Sequence, residues 1–205
     1  MARPASDIRE RLVEAARARF LREGVDGASV RDIARDAETS LGIVAYYFPK
    51  KEDLFDEVVE SVYRPFLDEI AAILRREEGT RERLHAVVLR VAEASGRELD
   101  VMRLVAREAI GSARRRHRIL RRFIKGHIGA LLAAIDDGLR EGDFDESFPA
   151  PLILAAFAGL AVLPQVVRRA AGGRAPFALP GKEVLAALSM QLFFRAVGRP
   201  RHAGA

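Results

Sequence analysis

SVRDIARDAETSLGIVAYYF, residues 29–48, is the stretch from which the rest of the chain can be read. Val30, Ile33, Ala34 and Ala37 recur at the spacing that puts them on one helical face. Ser29 stands where a hydroxyl N-cap belongs. Glu38, Thr39 and Ser40 then interrupt the pattern with polar side chains, and Thr39 or Ser40 can cap the next helix. That second helix is expected over 41–48, stopped by Pro49. Two helices joined by so short a turn form a helix-turn-helix, whose second helix can enter the major groove of DNA. Thr39, Ser40, Leu41 and Gly42 fall at its N-terminal part, and Ala45 and Tyr46 on its outer face. Small or neutral side chains there let a helix backbone approach a duplex. An ordinary hairpin in an all-helical protein carries the same pattern, so the stretch alone leaves both readings open.

The adjoining segment, AYYFPKKEDLF at 45–55, resembles the end of the DNA-binding domain in the TetR family of bacterial transcription regulators. Tyr47, Phe48, Lys51, Glu52 and Leu54 match that family's order of aromatic, Phe, Lys, acid and Leu. Phe20, Gly24, Ser29, Val30, Ile33, Ala34, Ala37, Ser40 and Gly42 also sit where the pattern has similar residues, so the resemblance covers about residues 7–55. Two positions depart from it: Glu38 takes a turn position that is commonly Gly, and Ala45 replaces a frequent aromatic. The resemblance implies an all-α protein, with a three-helix helix-turn-helix DNA-binding domain at 1–52 and a helical effector-binding and dimerisation domain at 53–205. It implies that Ser29, Tyr47 and Lys51 hold phosphates, while Thr39, Ser40, Leu41, Ala45 and Tyr46 face base edges and Gly42 allows close approach. It also implies a homodimeric repressor on a palindromic operator, released by a small, largely apolar effector. A ligand-independent DNA-binding regulator or architectural protein is the alternative.

Composition is compatible with this. The 205 residues are 49% hydrophobic and 31% charged, ordinary for a globular chain able to bury a core. The formal charge of +5 suits a polyanionic partner. Up to Lys51 the balance is only ten Lys and Arg against eight Asp and Glu, so phosphate contacts must come from placed residues. The lack of cysteine excludes disulfides, thiol catalysis and cysteine metal sites, and fits a cytoplasmic location. The N-terminus, MARPASDIRE, has no apolar signal-peptide core. His85, His117, His127 and His202 are scattered without zinc spacing, and neither a phosphate loop nor a nucleophile elbow occurs, so neither an enzyme nor a cofactor is expected.

Outside the helix-turn-helix, residues 7–22 read as a bracing amphipathic helix capped by Gly24. A helix over about 50–76 contains Pro65, either a boundary or a hinge. Further helices are expected over 81–95 with Thr80 as cap, from Asp100 to Gly111, and as one long helix from Ser112 to about Glu141. The basic run of that long helix, Arg114 to Arg118 with Arg121, Arg122 and Lys125, reads as a solvated face with acidic neighbours. The uncharged stretch 147–167 is long enough to span a bilayer. Pro149, Pro151, Pro164 and Gln165 interrupt it, and it is read instead as a helix buried against its own core and a partner subunit. With the last helix, 182–197, it would form a four-helix bundle across a two-fold axis. By the same resemblance the middle helices enclose the effector, with Met102, Val105, Phe123, His127, Leu131, Phe157 and Leu160 as candidate wall residues; for any one of them, plain core packing is the more ordinary reading.

Overall fold

The structure is a computed structural model that describes residues 5–76, 78–124, 127–171 and 179–199. Ten helices occur among them: α1 (Ala5–Gly27), α2 (Val30–Asp36), α3 (Leu41–Tyr47), α4 (Lys51–Leu74), α5 (Thr80–Ala92), α6 (Gly96–Gly111), α7 (Ala113–Ile124), α8 (His127–Glu141), α9 (Ala150–Ala171) and α10 (Lys182–Val197). The described residues contain no strand, only an isolated antiparallel bridge between Phe144 and Gly198. The all-α expectation therefore holds. The chain forms two compact units, one of residues 1–66 and 96–121, the other of 67–95 and 122–205.

In the first unit α1 packs on α2 and α6, and α2 packs on α3. Leu12, Ala16 and Phe20 of α1, Ile33 of α2 and Val58 of α4 have no exposed surface. Each large apolar side chain so placed contributes about 1.5–3 kcal/mol. The Phe20 and Phe55 rings meet edge to face at 6.2 Å, and Leu54 is buried as well, so the start of α4 closes the three-helix head. Gly24 has φ +80°, a backbone conformation that penalises any Cβ, and it breaks α1 before Val25 and Ala28 turn into the core. Ion pairs fix α1 to α2: the Arg19 guanidinium donates to both Asp36 carboxylate oxygens (2.6 and 3.0 Å), and Arg11 Nη1 donates to the Ala37 carbonyl at 2.8 Å, capping the end of α2.

In the second unit α10 packs on α9 and α5, and α5 on α8 and α9. Leu84, Val87 and Val88 of α5, Ile135 of α8, Ile153 and Phe157 of α9 and Phe193 of α10 are buried. Phe144, in the loop after α8, stacks on Phe194 at 5.7 Å and meets Phe193 edge-on at 5.8 Å. Gly138 lets this ring approach α8: a Cβ there would lie 2.6 Å from Phe144 and 2.8 Å from Thr80.

Several expectations change. Pro65 lies inside α4 and does not end it, because the helix continues to Leu74. Thr80 is not a cap; Gly79 takes that place, and the buried Thr80 hydroxyl donates toward the Ala134 carbonyl (3.3 Å) and accepts from Arg83 Nη2 (3.0 Å). The helix expected from Asp100 begins at Gly96, just after Ser95, and residues 95–98 read Ser-Gly-Arg-Glu, a capping-box sequence that the apolar spacing did not bring out. The long helix from Ser112 is described as α7 and α8, with residues 125–126 between them outside the described residues. Ser112 does cap α7, accepting the Arg115 N–H at 3.3 Å. The loop expected after Ala171 lies outside the described residues over 172–178.

Candidate nucleic-acid interface

The turn between α2 and α3 is built around Glu38, the described non-glycine residue with positive φ (51°). Its place in the sequence is the one where the resembled pattern has Gly, and the backbone explains why: left-handed geometry costs a Cβ-bearing residue about 1–2 kcal/mol. Ser40 then caps α3, its hydroxyl accepting the Ile43 N–H at 3.3 Å. Val44 is the buried anchor of α3, and Phe48, just past its end, is buried as well. Ile43 and Tyr47 are half-buried, and the remaining residues of the helix look outward. Leu41, Gly42, Ala45 and Tyr46 are exposed, Tyr46 to 79%, with Ser40 exposed and Thr39 half-buried at the helix start. An apolar leucine and a tyrosine held in water without a covering element form a surface shaped for contact.

The residues read as phosphate holders are placed differently from one another. Ser29 occupies the N-cap position of α2 in extended geometry, and its carbonyl accepts the Ile33 N–H (3.0 Å), but its hydroxyl makes no capping bond. That leaves an N–H-rich helix start and a hydroxyl together at the surface. Tyr47 is half-buried, its ring edge-on to Tyr46 at 5.2 Å. Lys51 Nζ donates to the carbonyls of Asp26 and Ala28, both at 3.1 Å. An ammonium has three N–H donors, so one remains for an outside acceptor.

Sequence reasoning missed the polar support behind this end of the head. Arg115, assigned to a solvated face, is buried. Its two terminal nitrogens donate to the two Asp26 carboxylate oxygens at 2.8 and 2.6 Å. Its Nε lies 2.7 Å from Glu108 Oε2 at an angle too poor for a hydrogen bond, so that contact is ionic. Glu108, also buried, accepts the Val25 N–H at 3.2 Å. A continuous polar chain thus runs from Glu108 through Arg115 and Asp26 to Lys51. The Arg115 hydrogen bond holds the Asp26 carboxyl below its usual range. Arg118 pairs with Asp53 (3.0 Å) and Asp56 (2.7 Å) on α4. The acidic neighbours expected for the basic run are therefore present, while Arg114, Arg116, His117 and Arg121 remain exposed.

The effector candidates fall in both units. Met102 is buried and Val105 half-buried in the first. His127 and Leu160 are half-buried, and Leu131 and Phe157 buried, in the second; the Phe157 ring meets Phe193 at 5.4 Å as part of that core. The side chain of Phe123 lies outside the described residues. Burial pushes the His127 imidazole down to about 4, so it is neutral near pH 7. The window Ala150–Arg169 of α9 is long and apolar enough by length and composition to cross a membrane. Ile153, Phe157, Ala161 and Gln165 nevertheless face protein, the Gln165 amide donating to the Lys182 carbonyl at 3.3 Å.

A short capped helix with an outward face, behind a bracing helix and a left-handed turn, defines a helix-turn-helix DNA-binding head. Residues 12–58 match the family model described as bacterial regulatory proteins, tetR family. The chain is 29% identical over 182 residues to the HTH-type transcriptional repressor SCO4008 of Streptomyces coelicolor, covering 84% of this chain and 88% of that one. It is 28% identical to the HTH-type transcriptional repressor NicS of Pseudomonas putida, over 70% of this chain and 68% of that one. The ketosteroid transcriptional regulator KstR2 of Mycobacterium tuberculosis shares the fold, with a TM-score of 0.65 at 21% identity over 93% of this chain and 95% of that one. Residues 12–58 thus form a helix-turn-helix head of the TetR type, and the chain is a DNA-binding regulator.

Proposed function

We propose that the protein is a homodimeric repressor that holds a palindromic operator and leaves it when a small, largely apolar effector binds. The observation that carries the DNA half is the outward face of α3, with Leu41, Gly42, Ala45 and Tyr46 exposed on a helix anchored by Val44. Leu41 and Ala45 suit thymine methyls, and Tyr46 reaches a base edge or a phosphate, as do Thr39 and Ser40 at the helix start. Ser29, Tyr47 and the remaining Lys51 N–H hold phosphates. Residues 1–52 carry DNA recognition, and 53–205 carry effector binding and dimerisation. Acting on the chromosome puts the protein in the bacterial cytoplasm.

The dimer reading is supported by apolar side chains without cover. Leu152, Leu163 and Val167 on α9 and Val184, Leu188 and Leu192 on α10 are 43–62% exposed, and Gly159 has open space beside it. Two such helix pairs make a four-helix bundle, and a two-fold axis sets two recognition helices about 34–36 Å apart along one DNA face. Effector control requires tighter effector binding to a dimer whose heads miss that spacing. Met102, Val105, Phe123, His127, Leu131, Phe157 and Leu160 are the wall residues proposed for it.

The test is footprinting on DNA just upstream of the protein's own gene, at fixed salt, with random competitor. Two-fold-symmetric protection that survives competitor supports the reading, and binding that competitor abolishes refutes a specific operator there. An effector screen on the protected site comes next. If no apolar compound changes operator affinity, the protein is a ligand-independent regulator.

A further inference from the structure

A groove of about 730 Å³ lies in the second unit between the first turns of α5 and the face of α10 that carries Ala187, Met190 and Phe194. Its size is that of a site for a small organic molecule. Its floor is apolar: Met190 is buried, Phe194 half-buried, and Ala187 adds a methyl. Three guanidinium groups surround this floor. The Arg81 guanidinium carbon lies over the Phe194 ring, 4.0 Å from its centroid, and Arg81 Nε donates to Asp143 at 3.1 Å. Arg81 is thus fixed in place and charge-compensated. Arg195 makes no ion pair among the described residues, and Arg199 makes none at contact distance, although its charge is felt by Asp145. Glu82 is the carboxylate that lines the groove. The groove therefore presents one cation without an ion pair, Arg195, and a second, Arg199, whose charge is shared with Asp145, beside an apolar floor.

We infer that this groove binds an amphipathic anion, a molecule with a carboxylate or phosphate head and an unbranched apolar chain. The planar guanidinium forks of Arg195 and Arg199 match such a head with paired N–H donors. Met190 and Ala187 supply apolar contact for the chain, the methionine adaptably. The head decides the chemistry: a neutral molecule of the same chain leaves the two arginines unanswered. This site is separate from the wall residues proposed for effector control and does not rest on operator binding.

The experiment is isothermal titration of the full chain with decanoate, decyl phosphate and decanol, each below its micellar range. The expected result is saturable binding of at least one anion, tighter than that of decanol, with carboxylate against phosphate telling which head the site prefers. Arg195→Ala with Arg199→Ala is expected to weaken anion binding about tenfold or more, since each removes a charge-assisted contact. Ala187→Trp, which fills the floor without touching a charge, is expected to abolish it. Both variants are checked for an unchanged sedimentation profile, so that loss of fold or assembly is not read as loss of the site. Equal binding of decanol, absence of saturable anion binding, or wild-type affinity in both variants overturns the proposal.

Discussion

Arg115→Met tests the polar chain behind the DNA-binding head. The substitution keeps the length of the apolar stem and removes the guanidinium. Arg115 and Glu108 side chains are 10% and 6% exposed, so the change leaves a carboxylate in the interior without its close cation. Removing one partner of a buried pair costs about 3–5 kcal/mol. Glu108 keeps the Val25 N–H at 3.2 Å and Arg107 Nε at 3.4 Å, which places the expected loss near the lower end, about 3 kcal/mol. Glu108→Gln in the same chain neutralises the stranded charge, so the double variant is expected to lie about 2 kcal/mol above the sum of the single losses. The sequence provides a convenient reporter. It has no tryptophan, and its three tyrosines, Tyr46, Tyr47 and Tyr63, all lie in the first unit. Tyrosine fluorescence in a urea titration therefore follows that unit alone, avoiding the assumption that both units unfold together. An Arg115→Met loss below about 1 kcal/mol, or single losses that add within about 0.5 kcal/mol, would refute a coupled buried pair.

Tyr46→Ala is expected to lower operator affinity about tenfold while leaving the urea midpoint unchanged, because the side chain is 79% exposed and braces nothing but Tyr47; a gel-shift titration beside the melt decides it. Gly138→Ala gains helix propensity but drives a methyl to 2.6 Å from Phe144, so a net loss of about 1–2 kcal/mol is expected by urea denaturation, and a variant as stable as wild type contradicts the close approach. His127 holds its pKa near 4, below the ordinary value of 6.5. Its contribution is complete above pH 6.5 and is lost as pH falls toward 4, by up to about 3 kcal/mol. His127→Phe should flatten that part of the stability profile between pH 7 and 4.5, and an unchanged slope would show that the imidazole is not buried neutral.

The legible part of the chain was local. The α2–α3 turn, the Ser40 cap, the break at Gly24 and the bounds of α10 each depend on residues a few positions apart, where spacing and capping chemistry act directly. The features that escaped depend on partners far away in sequence. Arg115 sits in an arginine run indistinguishable from a wet helix face until Asp26, 89 residues earlier, is brought to it. Thr80 looks like a cap because Thr often is one, yet a hydroxyl next to Ala134 and Arg83 is more useful inside. Lys51 reads as a free phosphate hook, and only the folded turn puts two carbonyls within its reach. The exposed face of α3 was legible because a helix of seven residues with one buried anchor leaves little choice about which side faces out.

Pro65 gives α4 an unequal resistance to solvent exchange along its length. A proline has no amide hydrogen, so the Ser61 carbonyl lacks its helical donor at the point where the chain passes from one compact unit to the other. The ladder of protected amides is interrupted there. Deuterium uptake before residue 65 should follow the opening of the first unit, and uptake after it the opening of the second. A single helix of 24 residues would then report two free energies of opening rather than one.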